Sequence, residues 1–337
     1  MKKFACTLLA LIMILSLTAC GSTENTPAKE TNSAADTSAN ESTDTAIADM
    51  TYPVSTLNIV VPYSAGGDTD IYARLVADRL EDIFGITVIV NNMTGGKATV
   101  AGNYVLNSAP DGATVLFTHT ANLIQMLNGT AQYNIIEDFD YAGTIIADRS
   151  NTLVVMADSN ISTLEECIAA LQANPSSLKL SPAVQPINFE IQDKLGVEFD
   201  RVDVGSNASE RVVGLLNGQV DVLLSNYVSI ADYVEAGQMI PLAIVSNTYT
   251  PDIPTFSEKG YDVTDAKYYE MRYPKGTDQA VIDMMAEALR QISEDPTFAE
   301  SLNNFYSEVC YRTPQESYDA DTELATYYST LNGGILG

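Results

Sequence analysis

Leu57-Asn58-Ile59-Val60-Val61-Pro62-Tyr63-Ser64-Ala65-Gly66-Gly67-Asp68-Thr69-Asp70-Ile71 is the stretch that decides the fold. Its first five residues form a short β-branched run stopped by proline, the pattern of a buried strand. A glycine turn follows. Beyond it Ile71, Leu75, Val76, Leu80 and Ile83-Phe84 recur at helical spacing up to Gly85, a natural C-cap. Further strands are predicted at 86–90, 114–117, 153–156, 178–180, 199–204, 220–224 and 242–245. Between and after them helices are predicted at 98–108, 163–173, 189–195, 212–217, 230–236 and 281–292. Such alternation, with no internal repeat, predicts a doubly wound α/β architecture.

Composition narrows the class. The chain has 337 residues, long enough for two ordinary units, and 46% of them are apolar, enough for a real core. With 17 Lys+Arg against 44 Asp+Glu, the formal charge is −27. That excludes a nucleic-acid binder, which needs basic stripes, and a polybasic membrane-surface protein.

At the N-terminus, Lys2 and Lys3 precede an apolar run over 8–15 that is too short to span a bilayer, as in a secretory signal. Leu17-Thr18-Ala19-Cys20-Gly21 resembles a bacterial lipobox, in which Cys20 is lipidated; the other reading is a plain signal with an incidental cysteine. Residues 21–52 are polar and predict a flexible tether. The expected organisation at this end is therefore a lipoprotein signal peptide over 1–19 and the lipidated cysteine and tether over 20–52. Cys167 and Cys310 are either free thiols or a bridge, and are read as unpaired. Signal and tether hold six of the acids and Lys2, Lys3 and Lys29, so 38 acids and 14 bases, about −24, belong to the folded part.

Two turns stand out as candidate sites. Amide groups at a helix N-terminus lack intrahelical partners and carry partial positive charge, so residues 63–70 can cradle an anion. Gly66 and Gly67 admit a ligand close to the backbone, and Asp68 or Asp70 is placed to cap the helix. The second turn is Val204-Gly205-Ser206-Asn207-Ala208-Ser209-Glu210, where Asn207 and Glu210 have capping-box spacing. Neither turn is a dinucleotide or P-loop motif. Catalytic readings fare poorly: His119 is the one histidine, no G-x-S-x-G elbow is present, and no ligand pair has zinc spacing. His119 is expected to line a pocket or be hydrogen-bonded rather than act as a base.

Several segments together resemble one family, the substrate-binding proteins of tripartite tricarboxylate transporters, or Bug receptors. They are the stretch 59–74, Asn92-Met93-Thr94-Gly95-Gly96, Ala109-Pro110-Asp111-Gly112-Ala113-Thr114-Val115-Leu116, Leu216-Asn217-Gly218-Gln219-Val220-Asp221, Ile253-Pro254-Thr255-Phe256-Ser257-Glu258-Lys259-Gly260-Tyr261 and Pro274-Lys275-Gly276-Thr277. The resemblance implies a two-lobed, periplasmic-binding-protein-like flytrap, each lobe a doubly wound mixed sheet flanked by helices, with lobe I over 53–150 and 265–337, lobe II over 151–264, and a ligand carboxylate held in the cleft by loop amides and bridging waters. It implies a ligand-binding set of Tyr63, Ser64, Ala65, Gly66, Gly67, Asp68, Thr69, Asp70, Gly95, Thr118, His119, Thr120, Ser181, Gly205, Ser206, Asn207 and Asn226. This chain departs from the family pattern at 181–186, at 202–204, and at Tyr268 and Glu270. The expected function is a monomeric, extracytoplasmic, lipid-anchored receptor that delivers a small organic acid to transporter membrane subunits. No catalysis, metal or cofactor is expected. The alternatives are a sensory receptor of the same fold and a surface hydrolase.

Overall fold

The computed structural model describes residues 51–182, 187–205, 207–246, 253–263 and 266–330. The signal peptide, Cys20, almost all of the tether, Ser206, the departure segment at 183–186 and the expected lobe boundary at 264–265 lie outside the described residues.

Two sheets organise the chain. The first has the order β11-β4-β10-β3-β1-β2, built from β1 (Thr56–Val61), β2 (Thr87–Asn92), β3 (Thr114–His119), β4 (Phe139–Asp148), β10 (Lys267–Pro274) and β11 (Ser307–Arg312). The second has the order β7-β6-β8-β5-β9, from β5 (Asn151–Met156), β6 (Lys179–Ser181), β7 (Asp200–Arg201), β8 (Val222–Asn226) and β9 (Met239–Ile244). Strand β1 pairs in parallel with β2 and β3, whereas β10 runs antiparallel to both β3 and β4. The chain changes sheets at Arg149-Ser150, between β4 and β5, and returns between β9 and β10.

The opening stretch folds as its pattern dictates. In β1, Leu57, Ile59 and Val61 enter one core and Val60 the opposite one, so a near-continuous apolar run is buried on both faces. The helix that follows, α1 (Asp68–Phe84), packs Tyr72, Ala73, Val76 and Leu80 on the same core and stops at Gly85, whose φ of 64° suits glycine. The helices α2 (Thr99–Leu106) and α3 (Ala121–Leu127) flank the first sheet, and α4 (Leu164–Ala173), α5 (Ile187–Leu195), α6 (Ala208–Leu216) and α7 (Ala231–Glu235) accompany the second. The C-terminal segment adds α8 (Gln279–Ser293), α9 (Pro296–Asn303) and α10 (Pro314–Thr330). Asp278 caps α8 through Ala280 N, and the helix buries Val281, Met284, Met285, Ala288, Leu289 and Ile292.

Some expectations change. The strand predicted over 199–204 pairs only at Asp200–Arg201, an exposed edge beyond which the backbone turns toward the second candidate loop. The helix predicted over 98–108 begins at Thr99, because Gly95, Gly96, Lys97 and Ala98 all have positive φ. Strands β4, β10 and β11 and helices α3, α9 and α10 were not predicted. In β10 the reason is chemical: Lys267, Glu270 and Arg272 occupy buried positions and hide the apolar pattern. Arg272 donates to Glu270 at 2.6 Å and to Asp321 of α10, and lies 4.1 Å over the Tyr141 ring. Cys167 is buried and Cys310 half-buried, and both are free thiols.

Candidate functional site

The turn after β1 is braced from within. Asn92 Nδ2 donates to Tyr63 O at 3.0 Å, Gly67 N to Ser64 O at 3.3 Å, and Gly66 N to Asp70 Oδ2 at 2.9 Å. Arg74 grips the Asp70 carboxylate from both of its oxygens. The two carboxylates therefore differ from the capping expectation. Gly67 is the N-cap residue and makes no side-chain bond, Asp70 secures the turn, and Asp68 points into the protein. Gly66 has a φ of 78°, which favours glycine, while Ala65 and Gly66 lie exposed at the tip. Thr69 is fully buried, and its hydroxyl has no hydrogen-bond partner among the described residues.

Asp68 belongs to a buried polar chain. It accepts from Lys267 Nζ at 2.7 Å and from the Tyr269 hydroxyl at 2.7 Å. Lys267 also donates to Asn226 Oδ1, and Asn226 Nδ2 donates to Asp148 Oδ2 at 2.6 Å. Asp148 further accepts from Tyr72 and from Ser150 N. Burial alone would raise the Asp68 carboxyl, yet the Lys267 ammonium beside it holds it well below the usual range. For Asp148 burial dominates and the carboxyl is raised. This chain links α1 and strands β4 and β10 of the first sheet to β8 of the second.

The second turn faces the first. Asn207 Oδ1 accepts from Glu210 N at 2.9 Å, making the predicted N-cap of α6, while its Nδ2 donates to Ser64 Oγ at 3.1 Å. Asp203 Oδ1 accepts from Gly205 N. A Cβ on Gly205 would stand 2.3 Å from Glu210 Cβ, so the close approach of the turn to α6 requires glycine here. One helical turn beyond Asn207 comes Arg211, which the sequence reading missed. It is 6% exposed, and its Nε has no partner among the described residues. Burial lowers its pKa, while the Asp68, Asp203, Tyr63 and Glu210 charges oppose that.

The remaining expected residues take varied positions. His119 stacks on Tyr63 with centroids 4.9 Å apart, and its Nδ1 accepts from Ala121 N. Burial, helped by the charge of Lys267, drops its pKa to about 3, so the ring is neutral. Thr118 and Thr120 are buried, and the Thr118 hydroxyl lacks a partner among the described residues. Ser181, at the end of β6, is buried with its hydroxyl likewise unpartnered, and Asn226 ends β8. Gly95 lines a cavity of about 20 Å³ together with Pro62, Tyr63, Thr94, Lys97, Ala98 and Asn207. That volume has room for one water-sized group. Lys97 is a second cation that the sequence reading passed over. Among the described residues no group of three His, Cys, Asp or Glu side chains could hold a metal ion, and no helix is long and apolar enough to cross a membrane.

Comparison with known proteins bears on this arrangement. The family model described as the tripartite tricarboxylate transporter family receptor, TctC, matches residues 72–323. A UPF0065 protein in the gbd 5' region of Cupriavidus necator is 31% identical over 275 residues, covering 79% of this chain and 83% of the relative. Protein BugT of Bordetella pertussis is 25% identical, covering 79% and 85%. The solved structure of R. palustris Rpa4515 with adipate superposes with a TM-score of 0.76 at 21% identity, over 84% of this chain and 98% of that one. The fold is thus that of the periplasmic binding proteins. From its sequence, the chain belongs to the tripartite tricarboxylate transporter receptors, the Bug family, whose members are solute-binding receptors and not enzymes.

Proposed function

We propose that this protein is an extracytoplasmic, lipid-anchored, monomeric receptor that captures a small organic carboxylate in a cleft and hands it to the membrane subunits of a tripartite transporter. The cleft lies between lobe I (53–150 and 265–337) and lobe II (151–264). Cys20 carries the lipid, and the polar segment 21–52 serves as the leash. One observation carries the reading: the turn after β1 and the turn before α6 come from different sheets and meet at Asn207 Nδ2 and Ser64 Oγ, 3.1 Å apart. Two helix N-termini then face one small space, and amide donors there favour an anion. The adipate held by the R. palustris neighbour belongs to the same chemical class. Binding would stabilise the closed arrangement of the lobes, with the crossings at Arg149-Ser150 and near 265 as hinges.

A thermal-shift screen of malonate, succinate, malate, adipate and citrate tests the reading. A true ligand at a hundred times its Kd adds about 2.7 kcal/mol to stability and raises the melting temperature. No shift with any of these acids, alongside a clear shift with neutral solutes, sinks the carboxylate assignment.

A further inference from the structure

We propose that Arg211 is the ion-pair partner of the ligand's anionic group, which makes this a site for a formally charged carboxylate and not for its amide or a neutral solute. The inference rests on the carboxylate-receptor reading above and deepens it.

Helix α6 buries Ala208, Arg211, Val212 and Leu215, the i, i+3, i+4, i+7 stripe of an amphipathic helix. Three of these are apolar and one is a guanidinium. A cation on a buried stripe is costly unless it meets an opposite charge. Yet at 6% exposure Arg211 makes no ion pair or hydrogen bond with any described residue, and its Nε is left without an acceptor. Three acids act on it by charge, Asp68, Asp203 and its helix neighbour Glu210; of these Asp68 is held by Lys267 and Tyr269, and Asp203 accepts from the Gly205 amide.

Direction follows from the helix geometry. Asn207 and Arg211 are four residues apart and share a face. Asn207 reaches across to Ser64, and the charge of Arg211 is felt at Tyr63 and His119. A carboxylate entering between the Ser64 turn and the start of α6 therefore meets the guanidinium, whose planar fork suits two carboxylate oxygens. Among the described residues, the other buried cations, Lys267 and Arg272, are paired with carboxylates and His119 is neutral, which leaves Arg211 to take that role.

Calorimetric titration of wild type and Arg211→Gln with the tightest acid of the screen, and with its half-amide, tests this. Wild type is expected to bind the diacid, and Arg211→Gln to bind it roughly 10- to 100-fold more weakly. The variant should also lose most of the preference for diacid over half-amide. Because removing an unpaired buried charge relieves desolvation, unliganded Arg211→Gln should melt at or above the wild-type temperature. Arg211→Lys keeps the charge but not the fork, and should fall between the two. Equal binding by wild type and Arg211→Gln overturns the assignment while leaving the receptor reading intact. So does a variant that melts several degrees lower and weakens diacid and half-amide alike, since that marks a structural role. A wild type that binds no acid overturns the receptor reading and this inference with it.

Discussion

His119 lies flat against Tyr63 and accepts the Ala121 amide, and burial drops its pKa to about 3 from the ordinary 6.5. The folded protein therefore keeps this ring neutral at pH values where the unfolded chain protonates it. Stability from this source is complete above about pH 6.5 and declines as pH falls toward 3, with a slope near 1.4 kcal/mol per unit. Replacing His119 with Phe should flatten that slope: between pH 6.5 and 5.0 the variant is expected to lose about 2 kcal/mol less than wild type in urea unfolding. A parallel loss in both proteins would mean that the ring already titrates in the native state. At this scale the sequence was partly readable. A single histidine without a nucleophile elbow pointed away from catalysis, and the residues themselves then explain why. Arg211 was also within reach, because a charge at the i+3 position of an apolar stripe is visible in a helical projection. Lys267 was not, since nothing in its neighbourhood has a period that marks it as buried.

Among the elements, the run from Asp68 through Lys267 and Asn226 to Asp148 ties α1, β10, β8 and β4 together. Its members came from four distant segments, and only their assembly makes them one network, so local patterning could not reveal it. Lys267→Met would leave Asp68 and Asp148 buried with their cation gone. We expect a loss of about 3–5 kcal/mol in chemical denaturation, most of it recovered when Asp68→Asn is added. Additive losses in the double variant would show that the two side chains do not act as a pair. The same logic explains which elements were legible. Strand β1, helix α1 beyond its first turn and helix α8 announce themselves by period, because the faces they bury there are apolar. Strands β4 and β10 bury Asp148, Lys267, Glu270 and Arg272, and their partners include Asn226, Asp68 and Asp321, far along the chain, which no local pattern reveals.

For the whole molecule, a formal charge of −27, about −24 of it on the folded part, accompanies a site proposed to catch anions. Contact electrostatics at Arg211 and the loop amides act over a few ångströms, whereas the surface charge acts over a screening length of about 8 Å at physiological salt. The two should separate kinetically. Raising salt from about 0.05 to 0.5 M should speed association of adipate in stopped-flow measurements by weakening long-range repulsion. A rate that falls with salt would mean that the local cations dominate the approach. The C-terminal helix offers a different lesson. Asp321 of α10 meets Arg272 in the middle of the first sheet and accepts the Tyr141 hydroxyl at 2.9 Å, and Ser317 meets Thr144 at 2.8 Å. Anyone building a fluorescent reporter from this scaffold therefore has little freedom at that end. Trimming α10 would take Asp321 from the buried Arg272 and leave Glu270 as its carboxylate partner among the described residues, so Ser317 and Asp321 have to stay in any fusion.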